Sequence, residues 1–416
     1  MTKLILTMKS TDSLKFYIFP FFLCLLIAVP WKATGLNAGI RDDFDNLIGK
    51  HDALLLTAPD GKIIFSKNAE KMLIPASTLK IFTALVALHY LGPDFKFATE
   101  FYLDNEINLK IKGYGDPLLI SEVLLEISKK VGTKIKKVGD IVLDYSYFAQ
   151  PLTIPGVSSS TQPYDAPNGA LCVNFNTVNF KQANGIYISA EPQTPLLPFA
   201  LKRIIKLGLS HGRIVFSHNN NDCTFYAGHL IKYFLNNEGI QTTGIIRTGR
   251  VHKNKDRLIL RYVSKLSLEE IISRLLEFSN NYTTNQLLIA AGAKAYGPPG
   301  TLDKGVLAAL SYAKNILYLE HTRITEGSGI SWKNKTSAKD MEKILKAFEP
   351  YHGLMRHEGR EFYKTGTLSG INTRAGYIEN TKGQLYRFVV LINTPGKSTK
   401  KIMRKLYHNV NYETNF

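Results

Sequence analysis

The sequence predicts an α/β protein in which one domain of sheet and helices is assembled from both ends of the chain and interrupted by a mainly-β inserted region. Three observations carry that expectation. Two β-like runs lead into a long apolar helical pattern, and a strand-rich stretch broken by Gly, Pro and Asn clusters follows over 94–248. Helical periodicity then returns and closes on two more strand-like runs.

The first runs, 53–57 and 62–66, flank Ala58-Pro59-Asp60-Gly61. Pro-Asp-Gly is turn chemistry, so they form a hairpin. Pro75-Ala76-Ser77 opens a helix whose apolar positions Leu79, Phe82, Val86, Leu88 and Leu91 run to Gly92-Pro93. Within 94–248 the expected strands are 98–103, 141–143, 171–175, 185–188 and 213–217, with helical pieces near 121–131 and 226–238. Helical spacing covers 268–278, 284–294, 302–317 and 337–348, and the runs 374–378 and 386–392 read as strands able to pair with the hairpin. The expected organisation is a leader over 1–35, a main domain from 36–93 and 249–416, and one or two smaller domains in 94–248.

At 416 residues, 44% hydrophobic and 21% charged, the chain is long enough for a large core and is not compositionally disordered. Its 52 Lys+Arg against 34 Asp+Glu give +18, a field that attracts polyanions such as acidic envelope polymers or an anionic membrane surface. The basic residues are spread along the chain without a zinc-finger, RNP or basic-zipper pattern, so nucleic acid is not the expected partner. Lys3, Lys9 and Lys15 precede an apolar stretch over 16–29, and Ala33-Thr34-Gly35 supplies a small-x-small site. This is a secretory signal peptide or, uncleaved, an N-terminal anchor. An extracytoplasmic compartment allows Cys172 and Cys223 two readings, a disulfide or two separately packed thiols.

Three strings carry chemistry: Ser77-Thr78-Leu79-Lys80, Ser279-Asn280-Asn281 and Lys364-Thr365-Gly366. Each alone is weak, since Ser-x-x-Lys recurs at Ser311 to Lys314 and Ser398 to Lys401, and Ser-x-Asn at Ser66 to Asn68 and Ser217 to Asn219. Their order and setting make them a serine acyl-transfer site in which a lysine handles the nucleophile's proton. Lys80 stands one helical turn from Ser77, and a neighbouring cation, Lys364, lowers its pKa as a base requires. Ser279 relays a proton to the leaving amine, and the Asn281 amide holds a substrate amide. Lys364 and Thr365 take a substrate carboxylate, Gly366 permits close approach, and the Thr367 backbone N–H joins that of Ser77 in an oxyanion hole. Zinc and dinucleotide patterns are absent: there is no His-Glu-x-x-His or Cys-x-x-Cys, Gly113-Tyr114-Gly115 lacks a third glycine, and no cofactor is implied. Gly327-Ser328-Gly329 lacks the preceding glycine of a nucleophile elbow.

With those residues in view, the chain resembles the class C low-molecular-mass penicillin-binding proteins, the D-alanyl-D-alanine carboxypeptidase/endopeptidase family. The likeness runs through Leu73-Ile74-Pro75-Ala76-Ser77-Thr78-Leu79-Lys80, Gly115-Asp116-Pro117, Asp144-Tyr145-Ser146-Tyr147-Phe148, Val173-Asn174-Phe175-Asn176, Glu326-Gly327-Ser328-Gly329-Ile330-Ser331 and Lys364-Thr365-Gly366-Thr367-Leu368. It implies a transpeptidase/β-lactamase-like domain with insertions and cleavage of D-Ala-D-Ala bonds or cross-links in peptidoglycan stem peptides through an acyl-serine. It also implies acylation by β-lactam antibiotics and a periplasmic or otherwise extracytoplasmic site of action. Asp144 matches a family position associated with binding the amino group of the substrate's side chain. The alternatives are a β-lactamase on the same scaffold and an inactive peptidoglycan-binding protein.

Overall fold

The computed structural model describes residues 44–412; the leader expected over 1–35 lies outside them. The early strands β1 (Asp52–Thr57) and β2 (Ile63–Lys67) join late strands in a six-stranded antiparallel sheet. After helix α1 (Leu79–Leu91) the chain leaves this sheet.

It enters β3 (Ala98–Leu103), β4 (Leu109–Gly113), α2 (Ser121–Gly132) and β5 (Ile141–Asp144). A three-stranded antiparallel sheet follows, built from β6 (Thr177–Ala183), β7 (Ile186–Ser189) and β8 (His211–Val215). Helix α3 (Pro198–Leu207) lies between β7 and β8, and α4 (Asn220–Asn237) comes after β8. Strands β9 (Ile246–Thr248) and β10 (Arg257–Val263) complete a mixed sheet in the order β9-β5-β4-β3-β10. Strand β10 lies beyond residue 248 yet pairs antiparallel with β3, from Arg257 opposite Leu103 to Val263 opposite Ala98.

The chain then runs through α5 (Leu268–Phe278), α6 (Asn281–Tyr296), α7 (Leu302–Asn315) and α8 (Ala338–Phe348). It returns to the first sheet as β11 (Arg356–Glu358), β12 (Glu361–Leu368), β13 (Ile371–Glu379) and β14 (Leu385–Ile392), and ends in α9 (Lys400–Tyr412). The strand order is β11-β12-β13-β14-β1-β2, with Asp52 opposite Ile392 and Thr57 opposite Arg387.

Strands β1 and β14 read as apolar runs because both faces of the sheet are covered there. Ala53, Leu55, Val389 and Leu391 face the core formed with α1, α5, α6 and α8, while Leu54, Leu56, Phe388, Val390 and Ile392 face Phe44, Ile402 and Leu406 on the other side. A separate core, with Phe101, Ile111, Ile127, Leu143, Tyr226 and Leu230, fills the inserted region.

The sequence expectations depart from the structure locally: β4, β6, β9 and β10 were not among the expected strands. Residues 171–175 are not a strand: Asn174, Phe175 and Asn176 all adopt positive φ, in a short 3-10 turn. The alternation of apolar side chains suggested β, but asparagine tolerates the left-handed region and breaks pairing there. Helix α3 was not anticipated, although Pro198 at its first turn and Gly208 in a left-handed C-terminal position are ordinary helix punctuation. Cys172 and Cys223 are both buried free thiols.

Phe388 is fully buried at the centre of β14. Phe388→Ala should lower the unfolding free energy by about 3 to 5 kcal/mol, measured by urea denaturation.

Candidate active site

Ser77 sits in a 3-10 turn, Ala76–Thr78, that runs directly into α1, so the nucleophile candidate precedes the α-helical turn expected for it. Ala76 has φ of +47°, a left-handed conformation that costs a residue with a Cβ about 1 to 2 kcal/mol. The surroundings hold it there. Pro75 accepts hydrogen bonds from the hydroxyls of Thr78 (2.7 Å) and Thr373 on β13 (2.7 Å), and the Ala76 methyl is buried with Ile74 and Ile371.

Lys80 is the centre of the group. Its side chain is wholly buried, and Nζ lies 2.8 Å from Ser77 Oγ, 2.7 Å from Asn281 Oδ1 and 2.6 Å from the Ser328 carbonyl. Burial first, and the Lys364 cation second, push its pKa well below the usual lysine range, against a smaller upward pull from Glu326.

Asn281 opens α6, and Asn280 before it caps the helix by accepting from Thr283 N at 2.8 Å. The middle residue of the second string therefore has a structural task. Ser279 ends α5 in the left-handed region, φ +55°, which turns the chain sharply between the two helices. It is brought to the same corner by its place two residues before Asn281, but no hydrogen bond joins its hydroxyl to Lys80 or Lys364. The inserted region grips α6 from the other side. Gln286, fully buried, donates to the carbonyls of Gly115 (3.1 Å) and Gly169 (3.0 Å) and accepts from Asn168 Nδ2 (3.1 Å), while Asn281 Nδ2 reaches the Tyr164 carbonyl at 3.3 Å.

Lys364 lies on β12 and is almost fully buried, its Nζ donating to the Thr365 carbonyl at 2.8 Å. Burial, with Arg356 next, brings its pKa down to about 8. Strand alternation turns Thr365 and Thr367 outward and Lys364 and Gly366 inward. β11 pairs only with 361–363, so 364–368 is an uncovered strand edge. At Gly366 a Cβ would stand 2.6 Å from Ser77 N and 2.3 Å from Thr373 Oγ1. Glycine there lets the strand lie against the backbone of Ser77.

Asp144 lies apart from the Ser77 group, in the second sheet. Its carboxylate is buried at the end of β5, where it accepts from Ser146 N (2.9 Å), Val251 N (2.9 Å) and Lys112 Nζ (3.1 Å), and none of these bonds reaches the Ser77 group. Burial opposes its ionisation, yet these donors hold its pKa below the usual value. A carboxylate already matched by a lysine is an internal ion pair of the second sheet.

Sequence reasoning marked 326–331 within the family likeness but assigned the loop no role. Its Ser328 carbonyl contacts Lys80, its Gly327 carbonyl accepts from Thr83 Oγ1 at 2.7 Å, and a Cβ on Gly329 (φ +83°) would stand 1.9 Å from the Ala76 carbonyl. The Gly-Ser-Gly signal was visible, but its serine contributes a main-chain oxygen that no side-chain motif announces.

A Gly366→Ala substitution should push β12 away from Ser77. The expected result is a loss of about a hundredfold in the second-order rate of benzylpenicillin acylation, followed by intact mass, together with a lowered melting temperature from the overpacked contact.

Comparison with known proteins gives a consistent picture. The family model described as "D-Ala-D-Ala carboxypeptidase 3 (S13) family" matches residues 36–198 and 212–358. D-alanyl-D-alanine carboxypeptidase DacB of Haemophilus influenzae is 24% identical over 414 residues, covering 83% of this chain and 85% of the relative. A D-alanyl-D-alanine carboxypeptidase of Actinomadura sp. (strain R39) is 25% identical over 448 residues, covering 87% and 83%. Among solved structures, penicillin binding protein 4 from Haemophilus influenzae superposes with a TM-score of 0.72 at 20% identity, covering 92% of this chain and 100% of that one. A predatory peptidoglycan endopeptidase from Bdellovibrio bacteriovorus gives 0.52 at 14% identity, covering 86% and 90%. Both structures share the fold.

Proposed function

Because the chain belongs to the D-Ala-D-Ala carboxypeptidase 3 (S13) family, we propose that its Ser77 group is the site of a serine-type DD-carboxypeptidase, with endopeptidase capacity, acting on peptidoglycan stem peptides. The observation that carries the assignment of roles is the set of three contacts around Lys80 Nζ. A neutral amine has two N–H donors and one lone pair. The Asn281 amide oxygen and the Ser328 carbonyl can only accept, so they take the two N–H groups and aim the lone pair at Ser77.

Lys80 removes the Ser77 proton as Oγ attacks the carbonyl carbon of the penultimate D-Ala. The oxyanion forms between the backbone N–H groups of Ser77 and Thr367, a reading supported by how closely Gly366 lies to Ser77. Ser279 passes a proton to the leaving amine, which is free D-alanine in carboxypeptidase action and a neighbouring stem peptide in endopeptidase action. Water then attacks the acyl-serine, and Ser77 recovers its proton as the acid departs. The uncovered edge 364–368 suits an extended peptide adding as a strand, with Lys364 and Thr365 at its terminal carboxylate.

A β-lactam ring presents the same carbonyl and carboxylate, so penicillin acylates Ser77. Slow hydrolysis of that adduct separates this reading from a β-lactamase. Export to the periplasm and a salt-sensitive attraction to anionic envelope surfaces, supported by the +18 charge, complete the proposal.

Benzylpenicillin should raise the intact mass of the purified protein by the penicilloyl group, and Ser77→Ala should show no increase; a wild-type protein that never gains it sinks the assignment. D-alanine release should fall on acidification, as Lys80 gains a proton, and weaken above about pH 8, as Lys364 loses its charge and its hold on the carboxylate. Lys364→Ala should raise KM at least tenfold or so and, by removing a cation beside Lys80, move the acid limb of the pH profile upward.

A further inference from the structure

Loop 326–334 is built around one carboxylate. Glu326 is fully buried and accepts from Ser328 N (2.6 Å), Ser328 Oγ (2.7 Å), Gly329 N (2.7 Å), Ser331 N (3.3 Å), Asn334 Nδ2 (2.6 Å) and Asn285 Nδ2 (3.1 Å). None of these donors is a cation. Six donors offset the cost of burying the carboxylate, and its negative charge is left without a lysine or arginine hydrogen-bonded to it. The amine it acts on is that of Lys80, which binds the carbonyl of Ser328, two residues along the same loop.

We infer that Glu326 is a positioning residue for acylation: its carboxylate folds the loop so that the Ser328 carbonyl meets Lys80, and it supplies a negative charge behind that contact. The inference rests on the reading of Lys80 as the base. The charged groups facing Lys80 are Lys364 from β12 and Glu326 from the loop; Arg356 on β11 acts on Lys364. Ser77, Asn281 and Ser328 contribute neutral partners. Burial and Lys364 both favour the uncharged amine, and carried too far they leave a base too weak to take a serine proton. Glu326 pulls in the opposite direction and keeps the amine basic.

Two arms of the structure make the role more than loop folding. Asn285 reaches Glu326 from α6, four residues after Asn281, and its own Oδ1 accepts from Gly327 N at 2.8 Å, so the loop and the Asn281 helix are locked together. Gly329 N, held by the same carboxylate, fixes the glycine whose backbone presses on the Ala76 carbonyl beside Ser77.

The test is the pH dependence of the second-order rate of benzylpenicillin acylation in the full-length protein, with melting temperature recorded for each variant. Glu326→Gln keeps the shape and removes the charge; its acid limb should move to lower pH by about one unit while the plateau rate falls. Glu326→Asp keeps the charge and shortens the reach; its limb should stay at the wild-type position while the plateau falls about tenfold. A Gln variant whose plateau drops with its limb unmoved would overturn the inference, leaving Glu326 a purely structural anion. If the Gln variant does not fold, a limb displaced in Glu326→Asp, or a wild-type plateau there, overturns it equally. Failure of the wild-type protein itself to acylate would instead count against the assignment of Ser77 and Lys80.

Discussion

The burial of one lysine organises this molecule. Lys80 has no exposed surface, and an ammonium so placed would be expensive; the neutral amine is not, provided its two N–H groups and lone pair are all used. Its three partners come from the 3-10 turn that leads into α1, from α6 and from the loop before α8. Any displacement of those elements leaves a polar atom unpaired at the centre of the apolar core around Phe82, Leu85 and Leu287. Stability and reactivity here draw on the same contacts.

Around that centre, strain and close approach are confined to positions the rest of the fold holds firmly. Ala76 and Ser279 both occupy the left-handed region, one beside the nucleophile and the other at the turn between α5 and α6. Gly329 and Gly366 allow main chain to touch main chain on either side of Ser77. The six-stranded sheet, covered on both faces, supplies the rigidity: β12 and β13 present Lys364 and Thr373, while β1 and β14 anchor the strands behind them. The inserted region takes part through Asn168 and Tyr164, which brace the helix that carries Asn281.

Much of this was legible in the residues. Apolar spacing placed α5 at the same bounds as the structure and located α1, α6, α8 and the late strands: α5 and α8 bury one persistent face, while α1 and α6 are buried all round and show as near-continuous runs of uncharged residues. Where the pattern misled, another local preference was stronger: consecutive left-handed residues at Asn174 to Asn176 ended what looked like a strand. Asp144 shows a different limit. Its motif was recognisable, but only the fold reveals that Lys112, on the neighbouring strand β4, already occupies its carboxylate.

By itself the sequence determined the residue types of the three strings, their order and the turn that sets Lys80 beside Ser77, since residue type and i to i+3 spacing are local properties. Tertiary structure alone decided that Lys80 loses all contact with solvent, that Ser328 offers its carbonyl and not its hydroxyl to the amine, and that Glu326 stands behind both. Those facts depend on groups about 200 or more residues apart meeting in a space closed to water. Desolvation and long-range charge belong to the assembled environment, and no single stretch of chain encodes them.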